Sequence, residues 1–110
     1  MVRQGDIIKI NLDPQSGHEQ AGKHPAVVVS NDIFNSRTKL AIVCPISSTD
    51  KGFPLHVKLD KRTQTTGVVL CEHVRSLDVN SRGYVLVEAV PMDILRKIID
   101  VVFAEIETSP

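Results

Sequence analysis

A mainly β protein, a small barrel of short strands closed by one C-terminal helix, is what this 110-residue chain predicts. Three observations carry that reading. Short apolar runs follow one another at close spacing, each bounded by Gly, Pro, Asn or Asp, which is strand-and-turn punctuation. There are six or so of them, which favours a compact barrel over a layered α/β arrangement. The period changes only near the end, where apolar groups fall at 94, 95, 98, 99, 102 and 106, the spacing of a helical stripe.

The elements follow in order. Gly5-Asp6 precedes a run whose apolar residues at 8, 10 and 12 fit the two-residue period of a strand, and Asp13-Pro14 ends it. Residues 26 to 30 make a β-branched second strand. Residues 40 to 46 make a third, apolar enough to be central, with Pro45 at its end or at a bulge. Between them Asn31 is placed to cap a short helical turn. In residues 55 to 59 three apolar side chains share one face, with His56 and Lys58 on the other. Residues 67 to 71, 74 to 77 and 84 to 87 add strands. Pro91 suits the first turn of the final helix and Asp93 the positive end of its dipole. Val101 and Phe103 fall off the helix's apolar stripe, which suits either core or a contact with a second copy of the chain.

Composition limits the function. The chain is 42% apolar and fits one domain, residues 1–110, with a modest core. Thirteen basic residues balance 13 acidic ones, so any nucleic-acid surface must be a local cluster. No apolar run approaches the roughly 20 residues needed to cross a bilayer, and the N-terminus has no signal-peptide core, so the expectation is a cytoplasmic protein with no membrane association. Cys44 and Cys71 lie in apolar runs and read as buried free thiols before they read as a disulfide or metal ligands. Four histidines, His18, His24, His56 and His73, show no H-x-x-x-H or C-x-x-C spacing. Cys71 and His73, two apart on an expected strand, share a face that reads as core. No metal and no cofactor is expected.

Two polar segments stand out. Residues 17 to 24 place His18, Glu19, Gln20, Lys23 and His24 between and beside two glycines, directly ahead of the second strand. Glycine lets a backbone approach a ligand, and these side chains can pair with base edges and phosphates; the plainer reading is a solvated hairpin loop. After the third strand, Ser47-Ser48-Thr49-Asp50-Lys51-Gly52 supplies hydroxyls and a cation that can bind phosphate and orient a reacting 2′-hydroxyl, or simply make a Ser/Thr turn. Neither serine has the G-x-S-x-G setting of a hydrolase nucleophile.

Taken together, Asp13-Pro14, the loop running to His24-Pro25, Cys44-Pro45-Ile46-Ser47-Ser48, the block from Gly67 to Asp78 and Val90-Pro91 before the helix resemble, in order, the segments of the MazF/PemK family of bacterial toxins. The family has arginine immediately before the first-loop proline, and His24 stands there. Ser47 stands at the place of its catalytic threonine, and His73 at that of a common glutamine which contacts RNA. The resemblance implies an SH3-like barrel of the MazF/CcdB/PemK type. It implies a homodimer that cuts single-stranded mRNA at short sequences without a metal, by attack of the ribose 2′-hydroxyl on its own phosphate. His24 and Ser47 are then the catalytic candidates, and His18, Glu19, Gln20, Lys23, Ser48, Lys51, His73, Arg75 and Arg82 the RNA-binding ones. It also implies a MazE/PemI-like antitoxin whose acidic segment lies over Lys23, Lys51 and Phe53-Pro54-Leu55.

Histidine for arginine is not a mild exchange. Guanidinium is always charged and bidentate, whereas imidazole offers at most two donors and can act as an acid or a base. One alternative is therefore a catalytically weakened module that binds RNA or antitoxin, told apart by whether the protein cuts long single-stranded RNA in EDTA. A CcdB-type gyrase poison is the other; this chain has no tryptophan and ends Glu107-Thr108-Ser109-Pro110, unlike that family's aromatic ending.

Overall fold

Strand β1 (Asp6–Ile10) is flanked on both sides, by β2 (His24–Val28) and by β7 (Tyr84–Ala89), and every pairing in the sheet is antiparallel. The computed structural model describes residues 1–12 and 22–110. His18, Glu19 and Gln20 lie outside the described residues. The sheet runs β4-β5-β3-β2-β1-β7, with β3 as Ala41–Ser47, β4 as His56–Lys58 and β5 as Val68–Leu70. Strand β6 (Arg75–Leu77) pairs with the first half of β3, and β5 with its last two residues.

Two cores explain why the central runs are so continuously apolar. On one face Ile7, Val27, Cys44, Ile46, Val69 and Cys71 meet Ile94, Leu95 and Ile98 of the C-terminal helix α3 (Met92–Ile106). On the other, Ile8, Ile10, Ala26, Val28, Val43 and Leu77 pack with Val79 of the short helix α2 (Val79–Arg82). Strands covered on both faces lose the polar half of the alternation. The period of 8, 10 and 12 in β1 is thus only half of its buried set, because Ile7 is equally buried on the opposite face.

The mainly β architecture with a C-terminal helix is the one expected, and its caps follow local chemistry. Asn31 Oδ1 accepts from Phe34 N at 2.8 Å and opens α1 (Asp32–Thr38). Asp78 Oδ1 does the same for Ser81 N at 3.1 Å in α2, an element with too few residues to show a period. Pro91 sits one position outside α3, as its N-cap. Asp93 is in the first turn as expected, and there Arg62 donates to both its oxygens at 2.9 Å.

Some expectations are corrected. Cys71 and His73 do not share a strand face: they begin and end a 3-10 turn that buries the thiol and leaves the imidazole side chain 62% exposed. Val101 is half-buried against the core, so only Phe103 of the two off-stripe residues stands free, beside Ile106 and a shallow groove floored by Ile42, Ile99 and Val102. The larger surprise is β7, an edge strand exposing Val85, Leu86 and Val87.

The two cysteines are free and fully buried, with Cys71 Sγ 3.8 Å from Val69 O. The neighbouring Cys71 side chain, and then burial, hold the Cys44 thiol far above the usual range, with the Cys71, Glu105 and Glu72 charges adding to the effect. Both behave as small hydrophobes.

Candidate active site

The β2–β3 ladder ends where the candidate catalytic residues sit. Its register pairs Ala26 with Pro45 and Val27 with Cys44, and His24 and Ser47 stand two residues beyond the Ala26–Pro45 pair, at the ends of β2 and β3. His24 is the partner of Ile10 in β1. His24, Ser47 and Ser48 line a cleft of about 380 Å³ with Leu12, Pro45 and Thr66. His24 is exposed, as a group that must meet a ligand should be.

Ser47 is held by its own turn. Its Oγ accepts from Thr49 N at 3.1 Å, while its hydroxyl faces Thr49 O at a long 3.4 Å, a bond weak enough to be exchanged for a phosphate oxygen. Behind it runs Gly67, with φ +122°. A Cβ there would lie 2.1 Å from the Ser47 carbonyl oxygen, so only glycine lets β5 close onto the end of β3. The loop before Gly67 is pinned by Glu88 of β7, whose carboxylate accepts from Gln64 N, Thr65 N and Thr65 Oγ1 at 2.8 to 3.1 Å. Burial pushes the Glu88 carboxyl up, but those three bonds outweigh it and leave it below the usual carboxylate range.

Arg75 and Arg82 have a different place from the one their charge suggests. Arg75 Nη1 donates to Leu12 O at 2.5 Å and Arg82 Nη1 to Asn11 O at 2.8 Å, both half-buried. They fix the backbone that leaves β1 for the first loop. Lys23 is exposed immediately before His24.

A second cleft, of about 410 Å³, opens on the other side of Ser47, lined by Lys51, Phe53, His56, Glu72 and His73 among others. It unites Lys51 and His73, but two of its other members carry no binding role in the sequence reading. His56, placed there on a polar face, has a side chain only 9% exposed. Phe53 packs edge-on against its ring at 5.2 Å between centroids, and its Nε2 meets Glu72 Oε2 at 2.8 Å. Burial alone raises the Glu72 carboxyl, yet the His56 hydrogen bond, its own backbone N–H and the His56 and His73 charges bring it below the usual range. Lys58, on the same face of β4, stays exposed and pairs with Asp50 at 3.3 Å. The sequence signal for Glu72 was its place beside His73; for His56 there was none beyond alternation. Among the described residues no group of three or more His, Cys, Asp or Glu can hold a metal ion, and no helix is long and apolar enough to cross a membrane.

A seven-stranded antiparallel sheet with a C-terminal helix, carrying His24 and Ser47 in one cleft at its strand ends, defines a class: over residues 3–103 the chain matches, and belongs to, the PemK-like, MazF-like toxins of type II toxin-antitoxin systems. It is 36% identical over 104 residues to endoribonuclease PemK of Escherichia coli, covering 89% of this chain and 77% of that one. To the endoribonuclease toxin MazF of Escherichia coli strain K12 it is 38% identical over 79 residues, 72% of this chain and 70% of the relative. Among solved structures it is similar to MazF of Deinococcus radiodurans (TM-score 0.83, 36% identity, 94% of each chain). A MazE-MazF crystal structure from the same organism gives a TM-score of 0.85 at 33% identity and 98% of each chain.

Proposed function

We propose that residues 1–110 form a single toxin domain that cleaves single-stranded mRNA by a metal-independent route and so arrests translation and growth. The observation that carries this is that His24 and Ser47, at the ends of β2 and β3, line one cleft in a chain of this family. The neutral His24 imidazole takes the proton of the ribose 2′-hydroxyl, and the oxygen attacks the adjoining phosphorus. The P–O5′ bond breaks, the His24 imidazolium gives that proton to the leaving 5′-oxygen, and the products are a 2′,3′-cyclic phosphate and a 5′-hydroxyl. The Ser47 hydroxyl donates to a non-bridging phosphate oxygen as charge builds there. His24 thus performs as acid and base where the family's guanidinium would also supply fixed charge.

Lys23, Ser48, Lys51 and His73 flank this centre and bind the RNA, Arg75 and Arg82 support it by holding the backbone at Asn11 and Leu12, and His18, Glu19 and Gln20 are the further RNA-binding residues. Two copies pair as a homodimer, which covers part of the exposed apolar surface at Phe103 and Ile106 or on β7. The crystallised MazE-MazF relative supports a cognate MazE/PemI-like antitoxin, whose acidic segment the exposed Lys23, Lys51 and Phe53 suit. Such a toxin acts in the cytoplasm, where its message lies.

The test is to digest a long single-stranded RNA with the purified protein in EDTA and sequence the ends. Fragments with 5′-hydroxyl ends at a recurrent short motif are expected. Uncut RNA would return the weakened binding module.

A further inference from the structure

The cleft beside Ser47 that contains His56 and Glu72 holds more chemistry than phosphate binding requires. It opens directly from the reacting centre, because Ser47 lines both cavities. At about 410 Å³ it lies within the size range of small-ligand clefts. Phe53, 48% exposed, presents an aromatic face, Leu70 adds an apolar wall, and Lys51 stands nearby for a phosphate. Glu72 is an acceptor-only group when ionised.

His56 is the unusual member. Its Nδ1 is buried with no hydrogen-bond partner among the described residues, which a ring present only for packing would avoid. Its one polar contact is the 2.8 Å bond to Glu72 Oε2. The ring, braced by Phe53, therefore fixes the direction of the Glu72 carboxylate.

We propose that this cleft is a nucleobase subsite next to the scissile phosphate, in which Glu72 selects bases that carry an exocyclic amine and rejects uracil, with His56 as its positioning residue. The proposal rests on the ribonuclease reading above and sharpens it to a substrate preference. Single-stranded RNA can turn its Watson–Crick edges outward. There adenine, cytosine and guanine each offer an amine N–H to a carboxylate. Uracil brings one ring N–H between two carbonyl oxygens, whose lone pairs oppose the Glu72 charge. Glutamine at 72 would keep an acceptor and add a donor, so a uracil carbonyl would find a partner. A misfolded variant cannot produce that gain.

Two randomised pools test it, one all-ribose and one with 2′-deoxy sugars that cannot be cut by 2′-hydroxyl attack. Each is offered to the wild-type protein and to Glu72→Gln. The first is read by its 5′-hydroxyl ends and the second by the sequences retained. One position flanking the cut should be depleted of uracil about tenfold or more with the wild type, and Glu72→Gln should restore uracil there alone. Uracil taken freely at every flanking position, or exclusion that survives Glu72→Gln, overturns the proposal. Selection in the deoxy pool without cleavage of the ribose pool would keep the subsite and reject the ribonuclease reading. Cleavage with no change on substitution would do the reverse. Independently of any variant, cytidine 3′-monophosphate should shift the His73 and Phe53 ring resonances of the wild type at concentrations where uridine 3′-monophosphate does not. Equal shifts would also overturn it.

Discussion

The two clefts that meet at Ser47 are held by different means. The His24 cleft is made by main chain: a β2–β3 register, a β3–β5 closure at Gly67, and a loop stapled by Glu88. The His56 cleft is made by side chains that converge from residues 51 to 56 and 70 to 73, clamped by one ring contact and one hydrogen bond. The first should tolerate changes of side chain and fail when the backbone is disturbed. The second should do the opposite. Chemistry that needs reacting atoms fixed closely in place belongs on the first, and recognition that must vary with sequence belongs on the second.

The hardest test of the contrast is Gly67→Ala. A methyl group 2.1 Å from the Ser47 carbonyl, on a residue at φ +122°, forces β5 away from β3. Urea unfolding should show a loss of about 3 kcal/mol or more together with abolished cleavage. A near-native midpoint would mean that the ladder is not what fixes Ser47.

Next come the reacting groups. His24→Ala and Ser47→Ala should each slow cleavage by about 10²-fold or more while shifting stability by less than about 0.5 kcal/mol, since neither side chain supports the core. Rates within a factor of two in both variants would remove them from the mechanism.

The opposite signature is expected of His56→Ala. It removes the ring contact and leaves the Glu72 carboxylate, partly buried, without its partner. A stability loss of about 1–2 kcal/mol at neutral pH should result, with no collapse of the chemical step. Because the Glu72 carboxyl sits below its usual range in the fold, this contribution is present above the ordinary glutamate value and disappears as pH falls through the lowered one. The deficit should therefore shrink on acidification, and one that is flat from pH 7 to pH 3 would contradict the pairing.

His24→Arg sharpens the same comparison on the chemical side. Guanidinium supplies fixed charge but does not take up the 2′-hydroxyl proton as imidazole can, so the substitution should change the cleavage rate and leave sequence preference unchanged. A changed preference would show that the two clefts are not separable.

The smallest effect belongs to Glu105, at the end of α3. Burial, then the Glu72 charge, push its carboxyl up, and its Oε1 is buried with no partner among the described residues. A raised carboxyl favours the fold while protonated and loses that advantage as pH rises through its folded value. Glu105→Gln should thus gain about 0.5 kcal/mol near pH 7 and nothing near pH 3, a difference that thermal melts at the two pH values can read.

What could be read from the sequence divides along the same line as the clefts. Strand runs such as residues 40 to 46 declare themselves because burial on both faces writes apolar residues continuously, whereas the closeness of His24 and Ser47 was expected only from the family resemblance, since strand pairing is not written in either run. The His56–Glu72 pair was not legible, because residues 16 apart in sequence carry no periodic sign of touching. Gly67 read as the start of a strand; its close approach to Ser47 is a long-range fact. Arg75 and Arg82 read as phosphate contacts, since charge is visible in a sequence but a partner 63 or 71 residues away is not.

The buried Cys44–Cys71 pair gives the molecule an internal stopwatch. Neither sulfur is exposed, and the Cys44 thiol is held protonated, so an alkylating reagent can react only with chains that have opened at the central strand and the turn after β5. Mass added per unit time then counts opening events without a label, a substituted residue or a denaturant. Counted with and without RNA or a bound inhibitor, those events measure how strongly each ligand holds the two clefts together.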